Sequence, residues 1–182
     1  MAGMNLGNPV ILASGILGTT MGSLSLAVKS GAGAVTTKSI TLKPRRGHPN
    51  PVVAETEYGL LNAVGVSNPG LEESVREFHD TSSLGVPVIA SISAENTGDY
   101  GELAEGIQEG DFHAIELALS CPHTPGLGLM AGQGTLDSTY ESTRAVKKNS
   151  SLPLIVKLSP SMPEIGGLAQ AAVDAGADAI NV

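Results

Sequence analysis

Residues 153–182 read PLIVKLSPSMPEIGGLAQAAVDAGADAINV, which has the pattern of a strand, a helix and a second strand. PLIVKLSP (153–160) is short and almost continuously apolar, as expected of a strand buried on both faces. The segment 163–175 then places apolar residues at helical spacing, and Pro163 suits the first turn. AINV (179–182) predicts the second strand. The helical stripe consists of Ile165, Leu168, Ala169, Ala172 and Val173. A strand, a crossover helix and another strand form the repeating unit of a parallel α/β fold.

The same unit repeats along the whole chain. Further strands are predicted at PVILASG (9–15), AVTTKSI (34–40), PVIASISA (87–94) and AIELALS (114–120). Helices are predicted at 71–84 and 97–109, and weaker ones at 21–30 and 135–149. An open doubly wound sheet and a (β/α) barrel both fit this order. Because no GxGxxG motif follows the first strand, the dinucleotide-binding form of the open sheet is disfavoured.

Polar residues at the ends of the predicted strands favour the barrel. Active sites of TIM barrels lie at the rim formed by the carboxyl ends of the strands. The polar strand-end residues are Ser14, Lys38, Ser91, Cys121, Lys157 and Asn181. We therefore predict an α/β fold with one (β/α) TIM-barrel domain over residues 1–182. A complete barrel needs about 250 residues, so the chain is expected to hold strands one to six of eight. The long segments 41–70 and 121–134 are predicted to be functional loops over the mouth.

Composition excludes several other classes of protein. The chain has 182 residues, is 41% hydrophobic and carries a formal net charge of −8, which argues against nucleic acid or an anionic membrane as partner. No apolar run reaches the ~18 residues of a membrane span, and the first residues lack a signal-peptide pattern. One cysteine makes no internal disulfide and supports no metal site. These features predict a cytoplasmic protein.

Three strand-end side chains and one loop asparagine are candidates for chemistry. Lys38 and Lys157 each lie in an otherwise uncharged strand-like run, so each either pairs with a neighbouring acid or meets an anionic ligand. Cys121 is either a small buried hydrophobic residue or a base, for which His123 could assist the thiol. Asn62 lies between apolar residues of a glycine-containing loop, which suggests a ligand contact, although turn chemistry also explains it.

Several segments together resemble the dihydroorotate dehydrogenase family, in particular its soluble, NAD-linked type. They are NPVILASG, GAVTTKSITLKPRRGHPNPVVAETEYGLLNAVGVSNPG, SCPH with GLMAGQG, LPLIVKLSP and GADAINV. The resemblance implies an FMN-containing oxidoreductase that converts dihydroorotate to orotate in pyrimidine (UMP) biosynthesis. It also implies an oligomer and an electron-transfer subunit with an iron–sulfur cluster and FAD.

The resemblance assigns roles to individual residues. It implies that Cys121 removes a proton from ring carbon 5 while hydride passes from carbon 6 to FMN, and that Lys38 touches both flavin and substrate. The implied FMN-binding residues are Ser14, Lys38, Ser39, Ser91, Lys157 and Ile180. The implied substrate-binding residues are Lys38, Asn62, Ala63, Val64, Gly65, Val66 and Asn181.

Two departures from the family pattern keep other functions open. The family usually has asparagine at the positions of Ala118 and Ser91, and SCPH also occurs in the related barrel of dihydropyrimidine dehydrogenase. One alternative is therefore a flavin enzyme acting on another pyrimidine ring. A Schiff-base aldolase that uses Lys157 and a non-catalytic barrel remnant are the other two.

Overall fold

The computed structural model describes residues 1–15, 17–119, 135–160, 162 and 164–182, which form an α/β structure. Its strands are β1 (Ile11–Leu12), β2 (Ala34–Thr36), β3 (Val53–Thr56), β4 (Gly59–Asn62), β5 (Val88–Ile92), β6 (Ala114–Ala118), β7 (Leu154–Lys157) and β8 (Ala179–Asn181). Its helices are α1 (Met21–Lys29), α2 (Leu71–Glu77), α3 (Thr97–Ile107), α4 (Leu136–Asn149) and α5 (Ile165–Asp174), and a 3₁₀ turn spans Thr81–Leu84.

Six of these strands form one parallel sheet in the order β1-β2-β5-β6-β7-β8, which confirms the predicted α/β architecture. The sheet is strongly curled. The hydroxyl of Ser14, just after β1, lies 2.7 Å from a carboxylate oxygen of Glu116 in β6. These strands are three positions apart in the sheet, and a flat sheet would separate them by roughly 14 Å. Only a sheet that curves round on itself permits this contact, as expected of an incomplete TIM barrel.

Alternation along the strands produces two apolar layers. The larger layer lies between the sheet and the helices, and it includes Leu24, Phe78, Tyr100, Leu103 and Leu117. The smaller layer lies on the concave side of the sheet and forms a floor beneath the carboxyl ends of the strands. Its buried members are Ile89, Ala114 and Ile155, and Ala2, Met4, Ile11 and Ala179 pack against them. Polar residues on the same face therefore stand above an apolar floor.

The helical patterns were predicted with mixed success. In α3, the four predicted core residues Tyr100, Leu103, Ala104 and Ile107 are all fully buried. In α5, by contrast, Val173 is 51% exposed, so the expected stripe is narrower than predicted. The helix expected over 71–84 ends at Glu77. The amide of Ser82 bonds to the carboxylate of Asp111, and the carbonyl of Phe78 accepts from the Asp111 amide, so residue 82 cannot continue the helix.

The predicted loop 41–70 contains an antiparallel hairpin of β3 and β4 that the sequence did not suggest. All eight residues of these two strands are exposed, so neither strand shows the alternating burial that periodicity detects. The predicted loop 121–134 lies outside the described residues. Within the described part of the chain, no helix has both the length and the apolar character needed to cross a bilayer.

Candidate active site

The two strand-end lysines meet at one cavity at the carboxyl end of the parallel sheet. Lys38 follows β2, and its backbone amide is held by the carbonyl of Gly18 at 2.9 Å. Lys157 ends β7, where its neighbours in register are Ala118 of β6 and Asn181 of β8. Lys38 is buried, whereas the side chain of Lys157 is 22% exposed. The fold therefore brings together two cations from distant parts of the sequence.

The cavity has a volume of about 160 Å³ and combines side chains from the strand ends with the loop after β4. Its lining residues are Ser14, Gly15, Lys38, Ser39, Asn62, Val64, Gly65, Val66, Ser93, Ala118 and Lys157. Small-molecule sites usually enclose about 300–1,000 Å³. These residues consequently suit one wall of a binding site rather than a complete one.

A buried carboxylate, Glu116, lies beside this cavity and was not predicted from the sequence. It is 3% exposed. One of its oxygens accepts a hydrogen bond from Ser14 at 2.7 Å, and the other accepts from the Asn181 amide at 3.1 Å. Lys157 donates to the Ser14 hydroxyl at 3.0 Å and stands 3.7 Å from Glu116. Lys157 was predicted as a candidate because it is a lone charge in an apolar strand. Glu116 is likewise the only charge in its strand, AIELA.

Hydrogen bonds of the Asn68 side chain hold the segment between Asn62 and Val66 in place. Val66 has a backbone φ of 54°, a left-handed conformation that is rare for a β-branched residue. The side-chain amide of Asn68 donates to the Val66 carbonyl at 2.8 Å. Its oxygen accepts from the amides of Gly70 at 2.9 Å and Thr41 at 3.2 Å. Asn68 thus organises the loop from a buried position, and the N-cap position of the following helix is Gly70.

Several predicted site residues are not among those that line the cavity. Ser91 is fully buried, and its hydroxyl lies 3.0 Å from that of Ser39, which lines the cavity. Asn181 is bonded to Glu116. Ile180 packs against the apolar layer between sheet and helices, and Ala63 is exposed. Cys121, together with His123, lies outside the described residues.

One buried hydroxyl at the cavity has no hydrogen-bond partner among the described residues. Ser93 is 1% exposed, and its hydroxyl makes no hydrogen bond within the described structure. A buried polar group without a partner is costly, and a water or a bound ligand would remove that cost. With two ammonium groups and the Ser14 and Ser39 hydroxyls, the cavity wall suits a planar ligand that has polar edges and takes up negative charge. FMN has this character.

The sequence profile of the dihydroorotate dehydrogenase family matches residues 1–182. The chain belongs to the dihydroorotate dehydrogenase family. Its similarity to curated relatives extends over nearly all of its residues. It is 42% identical over 184 residues to a protein of Methanocaldococcus jannaschii and 43% identical over 180 residues to one of Pyrococcus furiosus. Both relatives are named dihydroorotate dehydrogenase B (NAD(+)), catalytic subunit.

The matches cover 99% and 98% of this chain, but 60% and 59% of the two relatives. A relative from Thermococcus kodakarensis with the same name is 40% identical over 181 residues, which is 59% of its length. The chain therefore spans about three fifths of the dihydroorotate dehydrogenases that it matches. In the described part of the chain, no three His, Cys, Asp or Glu residues are grouped to hold a metal ion.

Proposed function

We propose that this chain carries part of the active site of a dihydroorotate dehydrogenase, which oxidises dihydroorotate to orotate in pyrimidine biosynthesis with FMN as cofactor. One observation carries the proposal. Lys38, which follows β2, and Lys157, which ends β7, meet at one cavity with Ser14, Ser39 and the loop that contains Val66. The family resemblance implies contacts to flavin or substrate for these same residues. A fold that gathers them at one point supports that function.

The proposed cofactor site uses the two lysines and the two hydroxyls. When bound, FMN supplies the hydride acceptor. Lys157 holds an ammonium group at the cavity, where it stabilises negative charge on the ring system. Ser39 offers a hydroxyl, and Ser14 an acceptor oxygen, to the polar edge of the same ring. Lys38 is buried and lines the same cavity, where a cation can serve both the cofactor and an anionic substrate.

The proposed substrate contacts come from the loop and from β8. Asn62, Val64, Gly65 and Val66 line the cavity, so backbone and amide groups of this loop can bind a polar pyrimidine ring. Asn181 offers a further amide from β8. Cys121 is the proposed base that takes the proton from carbon 5 as the carbon 5–carbon 6 double bond forms. Loss of that proton and of hydride from carbon 6 balances the oxidation.

The proposed partner is a subunit that carries electrons away from the flavin. The relatives' names describe a catalytic subunit of an NAD(+) enzyme, which supports the existence of a second subunit. We propose an iron–sulfur cluster and FAD in that subunit, and an oligomeric assembly, on the family resemblance.

The test uses the complete gene product that contains these residues. The purified protein should bind FMN, and its flavin absorbance should bleach when dihydroorotate is added without oxygen. The aldolase alternative predicts a colourless protein whose Lys157 is trapped by borohydride with an aldehyde. That result, or tight FMN binding with no reduction by any dihydropyrimidine, would overturn the proposal.

Ala118 favours a second candidate function. It lines the cavity and is 8% exposed, at a position where the family usually has asparagine. An asparagine would offer one acceptor and two donors to a ring, and alanine offers none. The second candidate is therefore an FMN enzyme that reduces or oxidises another pyrimidine, such as a uracil-type ring. Bleaching by dihydrouracil rather than by dihydroorotate would select it.

A further inference from the structure

Glu116 is the central acceptor of a four-residue polar network on the concave face of the sheet. Both of its carboxylate oxygens are used: Ser14 donates to one at 2.7 Å, and Asn181 donates to the other at 3.1 Å. Lys157 reaches the same group through Ser14 at 3.0 Å and directly at 3.7 Å. The four side chains come from four different parts of the sheet: Ser14 follows β1, and the other three lie in β6, β7 and β8.

The directions of these hydrogen bonds follow from the chemistry of the groups. A carboxylate only accepts, so the single hydroxyl proton of Ser14 is committed to Glu116. The oxygen of Ser14 is then left to accept from Lys157, whose ammonium group only donates. By the same reasoning Asn181 turns its NH₂ group toward Glu116, which leaves its oxygen as an acceptor for something else.

The position of Glu116 makes this pairing important. In β6 it lies on the same face as Ala114 below it and Ala118 above it, and Ala114 belongs to the apolar floor. A charged carboxylate in such a place is costly unless it is paired and hydrogen-bonded. A lysine has a flexible four-carbon stem, so its ammonium group has no fixed place without a partner. Glu116 and Ser14 supply that partner.

We infer that Glu116 is a positioning residue, which fixes the Lys157 ammonium at the cavity through Ser14 and sets the orientation of the Asn181 amide. The inference rests on the proposed flavin role of Lys157 for its functional consequence. Glu116 itself does not line the described cavity; it acts through the residues that do. Its loss should therefore weaken ligand binding by releasing Lys157, and should add little once Lys157 is gone.

The test is a double-mutant cycle in the complete gene product with Glu116→Gln, Lys157→Met and the two together. Glutamine has nearly the size of glutamate, so the fold should be retained. Each single substitution should weaken FMN binding about tenfold, and the double substitution should also weaken it about tenfold. A hundredfold loss in the double variant would mean independent effects and would overturn the inference. Glu141→Gln, an exposed change of the same charge on α4, is the control and should leave FMN binding unaltered.

A second measurement separates this inference from the proposed function. Urea unfolding of the same proteins without FMN should show coupling between the two residues. The product of the factors by which the two single substitutions lower the folding equilibrium constant should exceed the factor for the double substitution by about tenfold. Coupling without FMN binding by the wild type would overturn the flavin function but keep the pairing of Glu116 with Lys157. Absence of coupling would overturn the pairing, whatever the result with FMN.

Discussion

The side-chain amide of Asn68 donates a 2.8 Å hydrogen bond to the carbonyl of Val66, whose backbone φ is 54°. A left-handed β-branched residue stores about 1–3 kcal/mol of strain, so the surrounding bonds must hold it in place. Replacing Asn68 with alanine removes this bond and leaves the amides of Thr41 and Gly70 without their buried acceptor. We expect Asn68→Ala to lower the free energy of unfolding by about 2–4 kcal/mol, measured by urea denaturation.

The control for this experiment is Asn5→Ala, since Asn5 is exposed near the start of the chain. This change should alter the free energy of unfolding by no more than about 0.5 kcal/mol. If both variants were equally stable, the hydrogen bonds of Asn68 would not be what holds Val66.

Asp178 links helix α4 to the start of β7, and it gives the stability a predictable pH dependence. Burial acts to raise its pKa, but the bonds from Lys147 at 2.6 Å and from the Leu154 amide at 2.8 Å outweigh burial and lower it below 3.8. A carboxylate whose pKa is lower in the folded than in the unfolded state stabilises the fold at pH values above its unfolded pKa. This stabilisation is lost as the pH falls through the folded pKa. Because the carboxylate is 38% exposed, we expect Asp178→Asn to lower the free energy of unfolding by only about 1 kcal/mol at pH 7.

The stability difference between wild type and Asp178→Asn should shrink when urea denaturation is repeated below about pH 4, where the carboxylate of the wild type takes up its proton. Glu109→Gln, an exposed change just after α3, should show no such convergence. A difference that stayed constant down to pH 2 would assign the effect to shape rather than to charge.

Ala118 gives a prediction about substrate choice. If the protein acts on dihydroorotate, a buried polar group of the ligand lacks a partner here, at a cost of about 1–3 kcal/mol. We expect Ala118→Asn to tighten orotate binding by about tenfold, since 1.4 kcal/mol corresponds to a factor of ten. Titration of orotate against the flavin absorbance of both proteins measures it. Weaker binding in the variant would indicate a pocket built around alanine for another ring.

Cys121 gives a prediction about proton transfer. Serine keeps the size and polarity of cysteine, but the pKa of its hydroxyl lies far above neutral pH. General-base steps typically contribute about 10²–10⁴-fold in rate. Flavin reduction by dihydroorotate in Cys121→Ser should therefore slow by about that factor at pH 7 and recover in part at high pH. Stopped-flow absorbance over this pH range is the measurement, and an unchanged rate and profile would make Cys121 a packed thiol.

The sequence predicted the sheet well because its strands are buried on both faces. Such strands are continuous apolar runs, and a charge within one stands out, which is how Lys38 and Lys157 were found. Glu116 has the same signature, yet its role depends on Ser14, which lies 102 residues away in the chain. Strand patterns predict which residues face inward. They do not predict how far the sheet curls, and the curl creates this contact.

Local conformations without periodicity were beyond prediction. The hairpin of β3 and β4 is exposed on both faces, so its residues show no alternation of burial. The helical pattern that continues past α2 is interrupted at Ser82, whose amide donates to Asp111, 29 residues later in the chain. The strained backbone of Val66 likewise depends on Asn68 and its contacts with the preceding loop. In the last two cases a tertiary hydrogen bond overrides the local pattern.

The polar network beneath the cavity also constrains how the protein is made. Ser14 and Lys157 are separated by 143 residues, and Ser14 and Glu116 by 102. At a synthesis rate of about 5–20 residues per second, the stretch between Ser14 and Lys157 takes roughly 7–29 s to translate. During that interval the nascent chain contains β1 and Ser14 but not Lys157, to which Ser14 will be hydrogen-bonded. The site is therefore completed by contacts of high sequence separation, which are the slowest to form during folding.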